Sequence, residues 1–157
     1  MRKAVRVIML RDNNMLAMHR NKFGQQYYAL VGGGIDSGET PEQALVREVK
    51  EETSLNISRY RMVFVEEAGD PFGTQYIYLS DYPGGEASLP DSSPEAAINK
   101  LGKNLYDVQW LPLDKLKTVP FLSETLKLAI LDALKNGWPD EPVTIHRGMY
   151  RGGENGA

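Results

Sequence analysis

Apolar and β-branched residues dominate positions 3–11 (KAVRVIMLR), a run that predicts a strand. Asn13-Asn14 supplies turn chemistry, and residues 15–20 (MLAMHR) predict the hairpin partner. A third short strand is expected at 27–31 (YYALV), ending at Gly32-Gly33-Gly34. The signals then become helical. Thr40 is placed to cap a helix, Pro41 suits its first position and Gln43 completes a capping box, so the helix is predicted to run to about Thr53. Residues 60–67 (YRMVFVEE) and 74–80 (TQYIYLS) read as strands around Gly69-Asp70-Pro71. Residues 82–104 read as a loop broken by prolines and glycines, with room for a helical turn or two at 94–99. A strand is expected at 105–111 (LYDVQWL). Ser123 then caps a helix whose Leu126, Ile130, Ala133 and Leu134 fall near helical spacing, closed by Gly137 and Pro139. The order β-β-β-α-β-β-β-α predicts an α/β (α+β) fold, a mixed sheet with helices packed on it. Residues 1–150 read as one domain and 151–157 (RGGENGA) as a flexible tail, because no repeat or linker divides the chain.

Composition narrows the function classes. The 157 residues carry 18 Lys+Arg against 21 Asp+Glu, a net charge of −3. A non-specific nucleic-acid binder needs a basic surface, so this balance argues against a nucleic-acid partner. The absence of cysteine removes disulfides, thiolate zinc sites and cysteine nucleophiles together. No stretch approaches the ~20 apolar residues of a membrane span. Arg6 and Arg11 interrupt the only apolar run that would serve a signal peptide. The expectation is a cytoplasmic protein without a membrane partner.

The charge is not spread evenly. Residues 33–55 hold six acids against two bases, a net −4, so the remainder of the chain is close to neutral. Within that segment Glu48, Glu51 and Glu52 stand at i, i+3 and i+4, which puts all three carboxylates on one helical face. Such a cluster costs the isolated helix a few tenths of a kcal/mol, with Arg47 and Glu51 returning a similar amount. A hard divalent cation reverses the sign of that cost, since Mg²⁺ favours carboxylate oxygen and keeps waters and substrate phosphates as its other ligands. A merely solvated acidic face is the plainer reading of three glutamates alone. On the helical wheel Glu52 borders the apolar stripe of Leu45, Val46 and Val49, whereas Glu51 points away from it.

The wider spacing is more specific. Gly33, Glu39, Arg47-Glu48-Val49, Glu51-Glu52 and Leu55 follow G-x5-E-x7-R-E-U-x-E-E-x-G-U, where U is aliphatic, at eight of nine specified positions. The segment closely resembles the signature of the Nudix hydrolases. A match this good arises by chance in about 10⁻⁵ of chains this long. The one departure is Ser54 in place of the last glycine. If that residue ends the helix in a left-handed conformation, serine costs roughly 1 kcal/mol more than glycine. Val31 also stands where family members often have proline, and Tyr28 keeps an aromatic place three residues earlier.

The resemblance implies an α/β/α sandwich with a mixed sheet, and water attack on phosphorus in a nucleoside diphosphate linked to another moiety. Nucleoside triphosphates, nucleotide sugars, ADP-ribose and dinucleotides all fit that class. It implies one to three Mg²⁺ or Mn²⁺ ions held by Glu48, Glu51 and Glu52, with Gly33 at the metal site. One of those acids, or a loop acid, would serve as base. Arg47 is expected to orient a ligand by pairing with Glu39, direct contact with phosphate being the alternative. Gly32, Gly33 and Gly34 permit close backbone approach. Arg20 and Lys22 are candidates for phosphate, and Glu95 or Glu86 for an additional acid. Tyr27, Tyr28, Phe72 and Tyr76 are aromatics placed to pack or to stack on a base. Glu66 or Glu67 could face the site from the end of a strand. His19 and His146 are read as structural or surface residues, because magnesium prefers oxygen. A non-hydrolytic nucleotide sensor is the competing function, although such domains tend to lose the motif acids retained here. An isomerase of diphosphate compounds would want additional cysteine or acid chemistry, and the cysteine is absent. Family members are often dimers, which makes a homodimer a further expectation.

Overall fold

The computed structural model describes residues 2–148. The expected N-terminal hairpin is formed by β1 (Lys3–Arg11) and β2 (Asn14–Lys22), joined through a turn at Asp12-Asn13. The run 27–31 does not form one strand. β3 (Gln25–Ala29) pairs with β2, whereas β4 (Val31–Gly34) pairs antiparallel with β1. Leu30 is the hinge between them. Its side chain enters one core and Val31 enters the other, and its carbonyl accepts a hydrogen bond from Arg6 Nη1 at 3.3 Å. The three glycines are therefore β4 itself and not a loop beyond a strand.

Helix α1 (Pro41–Thr53) begins as the sequence predicts. Thr40 Oγ1 accepts from the Gln43 amide, and the Gln43 side chain accepts from the Thr40 amide. It ends at Ser54 in the left-handed conformation, φ 68°. β5 (Tyr60–Glu67) and β6 (Thr74–Ser80) pair antiparallel, and β6 runs parallel to β1. The short α2 (Pro94–Asn99), capped by Ser93, interrupts the long loop before β7 (Asn104–Pro112), which pairs with β2. Three elements have no counterpart in the sequence reading: α3 (Leu113–Leu116), the two-residue β8 (Phe121–Leu122) and β9 (Val143–His146). α4 (Glu124–Asn136) lies between the last two and is capped by Ser123.

Two sheet layers result, β4-β1-β6-β5-β9 and β8-β3-β2-β7, joined where β1 meets β2. Parallel and antiparallel pairs coexist, so the sheet is mixed. Helices close the fold from both sides. Ala44, Leu45 and Val49 of α1 pack on Val5, Val7, Val31 and Tyr78, while Leu126, Ile130 and Ala133 of α4 pack on Ile8, Leu30, Phe64 and Ile77. Alternation along β1 sends Val5 and Val7 toward α1 and Ile8 toward α4, as a two-residue strand period requires. This is the expected α/β/α sandwich. No helix among the described residues is long and apolar enough to cross a membrane. The tail expected at 151–157 lies outside the described residues.

Candidate active site

The acidic face of α1 meets β4 because its apolar stripe docks there. Docking leaves Glu48 9% and Glu52 5% exposed, whereas the Glu51 side chain remains 41% exposed. Two glycines of β4 make the approach possible. A Cβ at Gly33 would lie 2.6 Å from the Glu48 carboxyl carbon, and one at Gly32 would lie 1.9 Å from the Val5 carbonyl oxygen. The Gly32 amide donates to Glu52 Oε1 at 2.9 Å. Gly34 has open space at the Cβ position, and its contribution is a carbonyl that accepts from Arg47 Nη2 at 3.1 Å.

Arg47 organises the surrounding acids. Its Nε and Nη2 donate to the two Glu39 carboxylate oxygens at 2.7 and 2.9 Å, and Nη1 donates to Glu48 Oε1 at 3.0 Å. The same Nη1 lies 3.4 Å from Glu51 Oε2. Glu39 also accepts from the Asp36 amide at 2.8 Å. The pairing of Arg47 with Glu39 is thus present, and the guanidinium additionally fixes Glu48.

These contacts divide the acids electrostatically. The Arg47 hydrogen bonds hold Glu39 down to about 2. Burial pushes Glu48 up, against the pull of Arg47. Burial pushes Glu52 up to about 8, with the Gly32 amide and Arg6 opposing and the charge of Glu95 adding to the rise. Glu52 therefore retains its proton near neutral pH when no cation is nearby.

Glu48 and Glu52 line a cleft of about 380 Å³ that Glu95, carried in from α2, also lines. Glu95 Oε1 is buried without a hydrogen-bond partner among the described residues. Gly32, Gly33 and Gly34 form part of the same wall. Arg20 and Lys22 line the cleft as well. Arg20 is engaged by Asn104, by the Leu105 carbonyl and by the Tyr106 ring, 3.7 Å away, while Lys22 is exposed. Tyr28 does not line the cleft. It donates to Gln109 and packs on His19, and its neighbour Tyr27 faces the cleft instead, because successive strand residues point to opposite faces. Phe72 and Glu66 line the cleft, Tyr76 packs with the core under α1, and Glu86 is an exposed loop acid. Glu51 and Glu67 do not line it.

Three cleft cations escaped the sequence reading: Arg2, Arg6 and Arg147. Arg6 carried a signal. It sits on the same face of β1 as Ile8, where an apolar side chain is the default. Arg147 carried none, because it follows β9, whose residues are mostly exposed.

The NUDIX domain family model matches residues 1–129. The chain belongs to the Nudix family. A curated relative from Vibrio atlanticus, named NAD-capped RNA hydrolase NudC, is 34% identical over 116 residues, 72% of this chain and 38% of that protein. A protein from Methanocaldococcus jannaschii named ADP-ribose pyrophosphatase is 36% identical over 112 residues, 66% of each chain. The alignments therefore span about two-fifths and two-thirds of these relatives. Among solved structures, an ADP-ribose pyrophosphatase from Streptococcus suis superposes with a TM-score of 0.65 at 19% identity, covering 92% of this chain and 98% of that one. A MutT protein from Bacillus halodurans gives 0.64 at 16% identity, covering 93% and 90%. These likenesses establish the shared fold, and the Nudix signature lies within the matched span.

Proposed function

We propose that this chain is a divalent-cation-dependent pyrophosphohydrolase acting on a nucleoside diphosphate linked to another moiety, residues 1–150 forming one domain. The observation that carries the reading is the meeting of Glu48, Glu52 and Glu95 in one cleft, with a buried and unpartnered oxygen on Glu95. A buried carboxylate oxygen without a donor is costly, and a hard cation satisfies it. Mg²⁺ or Mn²⁺ fits this donor set: Glu48, Glu52 and Glu95 would hold it from the cleft, Glu51 from its exposed flank, with the backbone of Gly33 alongside. Among the described residues, no three acidic or histidine side chains already stand close enough to enclose an ion. The Arg47 and Gly32 hydrogen bonds account for the spacing, since each holds one carboxylate in place.

When bound, the cation supplies charge neutralisation on the diphosphate and makes water a better nucleophile near neutral pH. The chain's own groups do the rest. Arg47 positions Glu48 and Glu51 by pairing with Glu39. Glu52 Oε1 is held by the Gly32 amide, which leaves Oε2 to carry or release a proton. Arg6, Arg20 and Lys22 supply positive charge along the path of the polyanion.

The test is a panel of nucleoside triphosphates, nucleotide sugars, ADP-ribose, dinucleotides and NAD-capped RNA, assayed with Mg²⁺ and Mn²⁺. Hydrolysis of at least one member is expected, dependent on the cation, with Glu52→Gln losing about 100-fold as charge stabilisation is removed. Silence across the panel would favour a nucleotide sensor that does not hydrolyse its ligand.

A further inference from the structure

One wall of the cleft is built from the face of the sheet that α4 covers. Arg6 shares the face of Ile8 on β1, Gln75 that of Ile77 on β6, and Glu66 that of Phe64 on β5. The acceptors on this wall are all engaged. Gln75 Oε1 accepts from Arg6 Nε at 3.0 Å, and its amide nitrogen donates to the Phe72 carbonyl at 2.6 Å. Glu66 is fully buried; its oxygens accept from Arg147 Nη2 at 2.9 Å, from Arg147 Nε at 3.3 Å and from the Ser123 hydroxyl.

The donors are not all engaged. Arg147 is 9% exposed, its guanidinium lies 4.6 Å from the Phe72 ring centroid, and its Nη1 is buried with no hydrogen-bond partner among the described residues. Arg6 is held by Gln75 and by the Leu30 carbonyl rather than by a carboxylate. Burial and the nearby charges of Arg2 and Arg147 weaken its hold on a proton, with Glu52 and Glu48 opposing. A wall with spare donors, occupied acceptors and excess positive charge suits an anionic group rich in acceptors.

Position separates Arg147 from the glutamates. In the order β4-β1-β6-β5-β9, Arg147 is anchored on Glu66 of β5, three strands from β4 where Gly33 meets Glu48. At about 4.8 Å per strand the separation is on the order of 14 Å, longer than a diphosphate. Resting on the hydrolase reading above, we propose that Arg147, with Arg6 between it and the glutamates, forms a subsite for a second anionic group of the substrate, a phosphate or carboxylate remote from the scissile diphosphate. Arg147 is then a specificity residue whose spare Nη1 is completed by substrate.

Matched substrate pairs test this. ADP-ribose is compared with its 2′-phosphate, and UDP-glucose with UDP-glucuronate, so that one arm reads a phosphate and the other a carboxylate. The wild type is expected to favour the anionic member of at least one pair by about tenfold in kcat/KM, mainly through KM. Arg147→Gln combined with Glu66→Gln, which keeps the buried pair uncharged, is expected to cost the anionic member about tenfold more than its neutral partner. Arg147→Lys should fall between, and serves as the variant if the double change does not fold. No preference in either pair, or equal losses for both members, overturns the proposal. Titration of inorganic phosphate in EDTA gives a reading independent of hydrolysis. Binding by wild type that weakens in the Arg147 variant supports the subsite even if the panel above is silent, whereas binding unaffected by the variant counts against it.

Discussion

Gly33 leaves the space that the Glu48 carboxylate fills: a Cβ there would stand 2.6 Å from the carboxyl carbon. The two residues are 15 apart in sequence and meet because α1 docks on β4. The obstacle at Gly33 is the end of a flexible side chain, whereas at Gly32 it is the Val5 backbone, 1.9 Å away. The two glycines should therefore fail differently when replaced.

Gly33→Ala is expected to keep the fold, with a melting temperature close to wild type, and to lose about 100-fold in kcat by displacing Glu48. Gly32→Ala is expected to destabilise by about 2 kcal/mol or more, since β1 cannot yield without breaking its pairing. Urea unfolding beside steady-state kinetics separates the two outcomes.

Arg47 holds Glu39 with two hydrogen bonds and Glu48 with a third. Arg47→Gln and Glu39→Gln should each lower kcat by about 10–100-fold, as removal of an outer-shell positioning group does. Because both act through the placement of Glu48, the double variant should lose less than the product of the single losses. A double-mutant cycle on kcat/KM checks this.

Glu52 is raised to about 8 in the protein without cation, chiefly by burial. The folded state then binds more protons than the unfolded state between the ordinary glutamate value near 4.5 and pH 8. Stability from this group is present below that interval and is lost as pH rises through it. The melting temperature of metal-free protein should fall from pH 5 to pH 8, and Glu52→Gln should flatten the fall. Adding Mg²⁺ at pH 7 should release protons, read by calorimetry in buffers of different ionisation enthalpy.

Ser54 adopts the left-handed conformation that glycine tolerates best, and its hydroxyl donates to the Ser88 carbonyl at 2.8 Å. Strain of roughly 1 kcal/mol is thus offset in part by a hydrogen bond of about the same size. Ser54→Ala keeps the strain and loses the bond, so a loss of about 1 kcal/mol is expected. Ser54→Gly exchanges one for the other and should stay within about 0.5 kcal/mol of wild type in urea unfolding.

The elements legible in the sequence are those whose signals are local. The Thr40-Pro41-Gln43 cap and the i, i+3, i+4 glutamates lie within one helix, and the spacing from Gly33 to Leu55 needs only adjacent elements. That sufficed for the fold class and the family. It also anticipated that Glu52 would lie at the buried edge of α1 and Glu51 outside it, because a helical wheel follows from 3.6 residues per turn. The division of 27–31 at Leu30 was not legible, since an unbroken apolar run does not reveal that neighbouring residues enter different cores. β9 was equally hidden, as an edge strand with three exposed residues leaves no alternating pattern. The rest of the cleft depends on contacts between residues 57 to 81 positions apart, as in Glu66 with Ser123 and Arg147, and Arg6 with Gln75. No short-range pattern encodes such pairs. Sequence alone determined which carboxylates share a helical face; the packing of sheet against helices decided that Glu95 meets Glu48 and Glu52 and that Arg6 and Arg147 line the same cleft, because only tertiary burial brings these distant charges together and strips them of water.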